Sequence, residues 1–120
     1  MKIKQQQAIE AYMAVRKLEY QDMPGEKAMV MFKLRKALEP QYQFQDEQER
    51  KIIESLGATI GADGFVAFKS DDDKAAYTNK LNEICNLEVD INIEQQTIDA
   101  KGMTLSVKDI EALEPVVKII

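Results

Sequence analysis

The chain has no histidine, no tryptophan and one cysteine among its 120 residues. Each absence closes a route to chemistry. Without histidine there is no Ser–His–Asp triad, no common zinc site and no side chain that ordinarily titrates near neutral pH. One cysteine excludes four-thiolate metal sites, CxxC redox pairs and an internal disulfide. A chain that needs no bridge suits a reducing compartment, so the expected localisation is cytoplasmic. No apolar run approaches the ~20 residues that span a bilayer, and Met1-Lys2-Ile3-Lys4-Gln5-Gln6-Gln7 lacks the apolar centre of a signal peptide. Aromatic residues are also few. With four Phe and four Tyr, the core must be built largely from Ile, Leu, Val, Met and Ala.

Phosphate-binding loops are missing too. Neither GxxxxGK[ST] nor GxGxxG occurs. Gly57-Ala58-Thr59-Ile60-Gly61-Ala62-Asp63-Gly64 holds three glycines but precedes a strand, so it reads as a hairpin turn. Asp71-Asp72-Asp73 is acidic enough to suggest calcium. Consecutive side chains diverge, however, and no glycine and distal Glu follow in EF-hand register. These aspartates read as the acidic first turn of a helix, capped by Ser70 or Asp71. No catalytic residue, cofactor or metal is expected. An enzyme working through paired carboxylates is the least favoured reading, because the available acids sit on solvated faces rather than in a desolvated pocket.

What is present is a globular composition: 45% apolar and 31% charged residues. The length fits one α+β domain. Residues 1–57 read as an antiparallel helical hairpin. Residues 58–120 read as a β-hairpin, a third helix, a strand and a short C-terminal helix, with the helical hairpin packed on a small, mainly antiparallel sheet of three to five strands. In the first helix, about Gln5 to Tyr20, Ala8, Tyr12, Val15 and Leu18 share a stripe, with Ile9 and Met13 beside it. Asp22-Met23-Pro24-Gly25 breaks the pattern, and proline suits the first turn of the next helix. There Ala28, Met31, Phe32, Leu34, Ala37 and Leu38 form a broad apolar face. Met13, Met29 and Met31 have core-like spacing, so core packing is the first reading and an adaptable partner groove the second.

Pro40 interrupts this second helix, and a kinked continuation to about Leu56 is expected, since Ile52, Ile53 and Leu56 stay in register. Gln45 to Lys51 is polar all round and reads as exposed, extending past the core. Ala58-Thr59-Ile60 and Phe65–Phe68, flanking Gly61 to Gly64, then form the hairpin. In the third helix, Ala75, Ala76, Leu81, Ile84 and Cys85 are candidates for burial, the cysteine as a small hydrophobe. Leu87 to Glu94 alternates cleanly, with Leu87, Val89, Ile91 and Ile93 inward. Ile110 and Leu113 point inward from the last helix, which Thr104 or Ser106 caps.

Charge is uneven along the chain. Residues 1–60 carry ten Lys/Arg against nine Asp/Glu, and residues 61–120 carry six against twelve. Lys33, Arg35 and Lys36 are too few to form the basic face of a duplex-binding protein, so direct nucleic-acid binding is disfavoured. The candidate partner-binding residues are the acidic strand face, Glu88, Asp90, Asn92 and Glu94, and the polar helix stretch, Asp46, Glu47, Glu49 and Arg50. The expected partner is a protein, and a homo-oligomer is compatible with the long polar helix.

Several segments, in order, carry a family resemblance. They are the Met1-Lys2-Ile3 start, the Met23-Pro24 junction, and Leu38-Glu39-Pro40 in a charged helix. Tyr77-Thr78-Asn79-Lys80-Leu81-Asn82-Glu83-Ile84 runs into Leu87-Glu88-Val89-Asp90-Ile91. Thr104-Leu105-Ser106 and Ile110-Glu111-Ala112-Leu113-Glu114-Pro115 close the series. Together they resemble a family of small proteins from phages and prophages of low-GC Gram-positive bacteria, a domain of unknown function encoded in virion-morphogenesis gene clusters. The resemblance implies a non-enzymatic accessory or structural protein, in the host cytoplasm if phage-encoded. The alternative is an acidic inhibitor of a host nucleic-acid enzyme or defence system.

Overall fold

The computed structural model describes residues 1–120 and shows an α+β fold organised around one long helix. Strand β1 (Lys2–Lys4) leads directly into helix α1 (Gln5–Leu18). Helix α2 (Gly25–Ser55) follows, then strands β2 (Thr59–Ile60) and β3 (Val66–Ala67) and helix α3 (Asp71–Cys85). Strands β4 (Glu88–Asp90) and β5 (Gln96–Ile98), helix α4 (Val107–Leu113) and strand β6 (Val117–Ile119) complete the chain. No helix is long and apolar enough to cross a membrane.

α1 and α2 pack together as the expected helical hairpin. The stripe of α1 is buried as its spacing requires: Ala8, Val15 and Leu18 are fully enclosed and Tyr12 nearly so. α2 contributes Met31, Leu34 and Leu38. Ile3, Ile91, Ile98, Leu113, Val116 and Val117 close this core from the strands and α4. The broad apolar face expected on α2 is narrower in the structure. Ala28, Met29 and Phe32 face solvent, as does Met13 on α1. One helix side can be covered by one neighbour only, and α1 covers the Leu34 side.

α2 runs without interruption through Pro40. The ring removes one backbone donor, leaving the Lys36 carbonyl without its partner. Both residues are on the exposed side of the helix, where a carbonyl without its partner costs less than in the core, and the helix continues. The helix stops at Gly57, whose φ of 62° is left-handed. Ala58 N–H donates to the Ile53 carbonyl at 3.1 Å and Gly57 N–H to the Glu54 carbonyl at 3.0 Å. This is the Schellman pattern that ends helices at glycine.

The strands do not join into one sheet. β1 pairs antiparallel with β4, β2 antiparallel with β3, and β5 parallel with β6. The alternating stretch from Leu87 to Glu94 forms a ladder over three residues only. Leu87 is exposed and Val89 half-buried, while Ile91 carries the inward role. The last bonds between the two strands run from Gln5 N–H to the Leu87 carbonyl at 2.8 Å and from Ile91 N–H to the Met1 carbonyl at 2.9 Å. α1 takes over at Gln5, and the chain of β4 bends away at Asn92 and Ile93. Ser70 caps α3 and Ser106 caps α4 by accepting the N–H three residues on. Ile110 is exposed, and Asp109 occupies the inward position beside Leu113.

The shape is elongated. The radius of gyration is 16.6 Å and the extents are 49 × 30 × 22 Å. A compact chain of this length would have a radius near ~14 Å. At 1.5 Å per residue the 31 residues of α2 are about 46 Å long, so this one helix accounts for the long axis. Its first half lies in the main core. Its second half carries α3 and the β2–β3 hairpin as an arm. There the buried apolar residues are Ile52 and Ile53, and α3 has no fully buried residue. Ala75 is exposed, while Ala76, Leu81, Ile84 and Cys85 are half-buried rather than enclosed. Phe68 and Tyr77 pack with ring centres 5.2 Å apart across this small interface.

Candidate partner-binding surfaces

The acidic strand face is exposed at Glu88, Asp90, Asn92 and Glu94. Pairing with β1 brings cations onto it. The Met1 amino group lies 3.1 Å from Asp90, and Lys2 Nζ lies 3.9 Å from Glu88. Beyond Asp90 the chain leaves the ladder, so Asn92 and Glu94 no longer continue one flat row. The four residues therefore share a region, but two of its three negative charges, Glu88 and Asp90, are locally matched.

The polar stretch of α2 is not exposed all round. Gln45 is 8% exposed, because α3 packs along this part of α2. The Gln45 amide donates to Glu49 Oε1 at 3.3 Å and approaches Cys85 Sγ at 3.7 Å. Burial raises the Tyr77 hydroxyl above its ordinary pKa, with the Glu49 charge and Cys85 adding to it. On the open side, Asp46 pairs with Arg50 at 3.2 Å and Glu47 with Lys51 at 3.1 Å. Asp46, Glu47 and Arg50 are thus engaged with charges on their own helix, and Glu49 turns towards α3. Such exposed i, i+4 pairs contribute only a few tenths of a kcal/mol.

Periodicity alone missed a groove beside the α1–α2 turn. It has a volume of about 300 Å³ and is floored by Met23, Ala28, Met31 and Phe32. Glu19 and Arg35 form its polar rim. Glu19 sits between two guanidinium groups, 3.7 Å from Arg16 and 3.2 Å from Arg35. Its Oε1 is out of water with no aligned hydrogen bond, so charge attraction holds it. Phe32 is 47% exposed, with Arg35 and Lys36 within 6 Å of its ring centre (5.6 and 5.8 Å). Lys33 and Lys36 are exposed on the same helix, and neither stands within ion-pair distance of an acid. Met29 and, on the adjoining turn, Tyr20 add further exposed apolar surface. The sequence signal was the surplus: more apolar positions on α2 than one neighbouring helix can cover.

Two buried polar clusters belong to the fold. The Lys27 ammonium is enclosed and reaches Asp99 and the Lys101 carbonyl. Asp109 closes a capping box with Ser106 and binds Lys17 through both oxygens, at 3.0 and 3.2 Å. Burial works to raise the Asp109 carboxyl, but the Ser106 N–H, the Lys17 ammonium and the Ser106 hydroxyl outweigh it and hold the group below its ordinary value. That is the opposite of what a general acid needs. No three thiol or carboxylate groups stand close enough together to hold a metal ion. Comparisons with known proteins found no family model, no curated protein and no solved structure that matches the chain.

Proposed function

We propose that this chain is a non-enzymatic phage or prophage accessory protein that works by binding another protein, in the setting of virion assembly. The phage setting rests on the resemblance of the ordered segments from Met1-Lys2-Ile3 to Glu114-Pro115. The binding role rests on one observation, the groove at the α1–α2 turn. Exposed aromatic and Met side chains edged by Arg are the composition of interface centres rather than of ordinary surface. The geometry offers apolar depth, an aromatic wall and a rim made of the Glu19–Arg35 pair with Lys36 beside it.

The inhibitor reading relies on an acidic face that occupies a basic groove. It draws less support, because Met1 and Lys2 already match charges at Asp90 and Glu88. The test is a photo-crosslinking amino acid at position 32, introduced in the cell that makes the protein. A covalent adduct of defined mass, absent when the crosslinker sits instead at Asn79 on the polar side of α3, is the expected result. Absence of any adduct at position 32 through the productive cycle would sink the reading.

A further inference from the structure

The groove has a counterpart at the other end of the molecule. The β2–β3 loop ends in Phe65, which is 76% exposed. Its position is held: Phe65 N–H donates to Asp63 Oδ1 at 3.0 Å, and the Phe65 carbonyl accepts from Gly61 N–H at 2.9 Å. Gly64, with φ of 83°, supplies the left-handed residue that this tight loop requires. An aromatic ring presented to water on an ordered loop costs solvation and does nothing for its own core.

The surroundings of the two features are complementary. Phe65 stands beside Asp63, and six to eight residues further along the chain Asp71, Asp72 and Asp73 open α3. None of these acids has a cation within ion-pair distance. The groove stands beside Lys33, Arg35 and Lys36, of which the two lysines are unpaired. The acidic knob and the basic groove lie at opposite ends of α2. From Phe32 to Ser55 is 23 residues, or about 35 Å of helix, so Phe65 cannot fill the groove of its own chain.

We infer that the occupant of the groove is the hairpin tip of a second copy, with Phe65 seated against Met23, Met31 and Phe32 and its aspartates facing Lys33 and Lys36. This rests on the binding reading above and names the partner. Each copy then offers one knob and one groove, on different surfaces. The contact is heterologous, and such contacts propagate into rings or filaments rather than stopping at a dimer. Burying one aromatic side chain in so small a groove makes each contact weak singly, as suits a subunit that assembles only when concentrated.

The test is sedimentation velocity of the full chain from about 10 μM to about 1 mM, the range of weak interfaces. Species beyond the dimer are expected to grow with concentration, and to recede as NaCl rises from about 50 to about 500 mM. Phe65→Asp and Phe32→Asp should each weaken association about thirtyfold or more, the scale of losing an interface anchor. An equimolar mixture of the two variants is the decisive arm. Phe65→Asp keeps an intact groove and Phe32→Asp an intact knob, so the mixture should form one-to-one dimers and nothing larger. Helical circular dichroism confirms that both variants fold. A wild-type chain that stays monomeric throughout, or that stops at a closed dimer, overturns the inference. So does a mixture that remains monomeric. If the chain does not self-associate but position 32 crosslinks to a different protein, the head-to-tail contact fails while the binding reading stands.

Discussion

Lys27 Nζ lies 2.6 Å from Asp99 Oδ1, tying the first turn of α2 to the end of β5 across 72 residues of sequence. The lysine side chain is 6% exposed and the aspartate 54%. The cation is the enclosed partner, and its stem fills space between helix and strand. The Lys27 hydrogen bond, the Lys101 N–H and the lysine charge hold the Asp99 carboxyl below its ordinary value, against slight burial. Lys27→Met keeps the stem and removes the charge. It is expected to lower the urea midpoint, by less than the loss of a fully buried charged hydrogen bond would, because Asp99 remains half in water. A variant as stable as the wild type would show that the pair contributes nothing beyond packing.

Asp109 and Asp99 set the acid limb of stability. Both carboxyls sit below their ordinary value in the folded chain. Their stabilisation is therefore complete above the unfolded aspartate value of about 4 and is lost as pH falls through the folded values. The melting temperature is expected to fall steeply only below about pH 4. Asp109→Asn should flatten that fall while lowering stability at neutral pH. An unchanged acid slope in that variant would show that Asp109 does not carry the effect.

Gln5 is fully buried and its amide donates to the Gln41 carbonyl at 2.8 Å and to Gln45 Oε1 at 3.3 Å. Its own Oε1 has no partner. Gln5→Met is expected to cost about 1–3 kcal/mol by leaving the Gln45 acceptor buried and unpaired. Adding Gln45→Met should recover part of that loss, so that the two single costs exceed the double one by about 0.5–1.5 kcal/mol. Strict additivity would mean that the two side chains are not coupled.

Leu34 and Phe32 are two residues apart on α2 and face opposite ways. Leu34 is fully enclosed and Phe32 is 47% exposed. Leu34→Ala should cost about 2–5 kcal/mol, the range for a core cavity. Phe32→Ala should stay within about 1 kcal/mol on the monomer. Thermal melting in dilute solution separates them, and equal losses would contradict the placement of the groove wall.

The arm should open before the core. α3 has no fully buried residue, whereas α1 has seven buried positions. Amides of α3 and of β2–β3 are expected to exchange with deuterium well before those of α1 and of α2 from Met31 to Leu38. Uniform protection along the chain would show that arm and core unfold together.

The helices were legible because their cause is local. Ala8, Tyr12, Val15 and Leu18 repeat at helical spacing, and Ser70 and Ser106 cap where their side chains can accept. Gly57 reads in the sequence as part of the hairpin turn, whereas in the structure its left-handed backbone ends α2. The strand from Leu87 to Glu94 was read too long. Alternation tells which side is apolar, but ladder length depends on the partner, and β1 supplies three residues. Lys27, Asp109 and Gln5 were not legible as buried groups. Nothing near them in sequence announces Asp99, Lys17 or Gln45, which arrive from 72, 92 and 40 residues away.

Local chemistry determined the elements, their caps and the absence of a histidine, zinc or nucleotide motif, since these depend on residue type and spacing over a few turns. Tertiary structure decided which of the apolar positions on α2 are covered. α1 takes Met31, Leu34 and Leu38, and Ala28, Met29 and Phe32 are left to a groove and to solvent. It also decided that the acids of β4 meet Met1 and Lys2, and that Phe32, near the start of α2, and Phe65, in the loop beyond its end, are both left exposed. The physical reason is the same in each case. A helix or strand has a fixed pattern of faces, but which face is buried depends on what else in the chain reaches it.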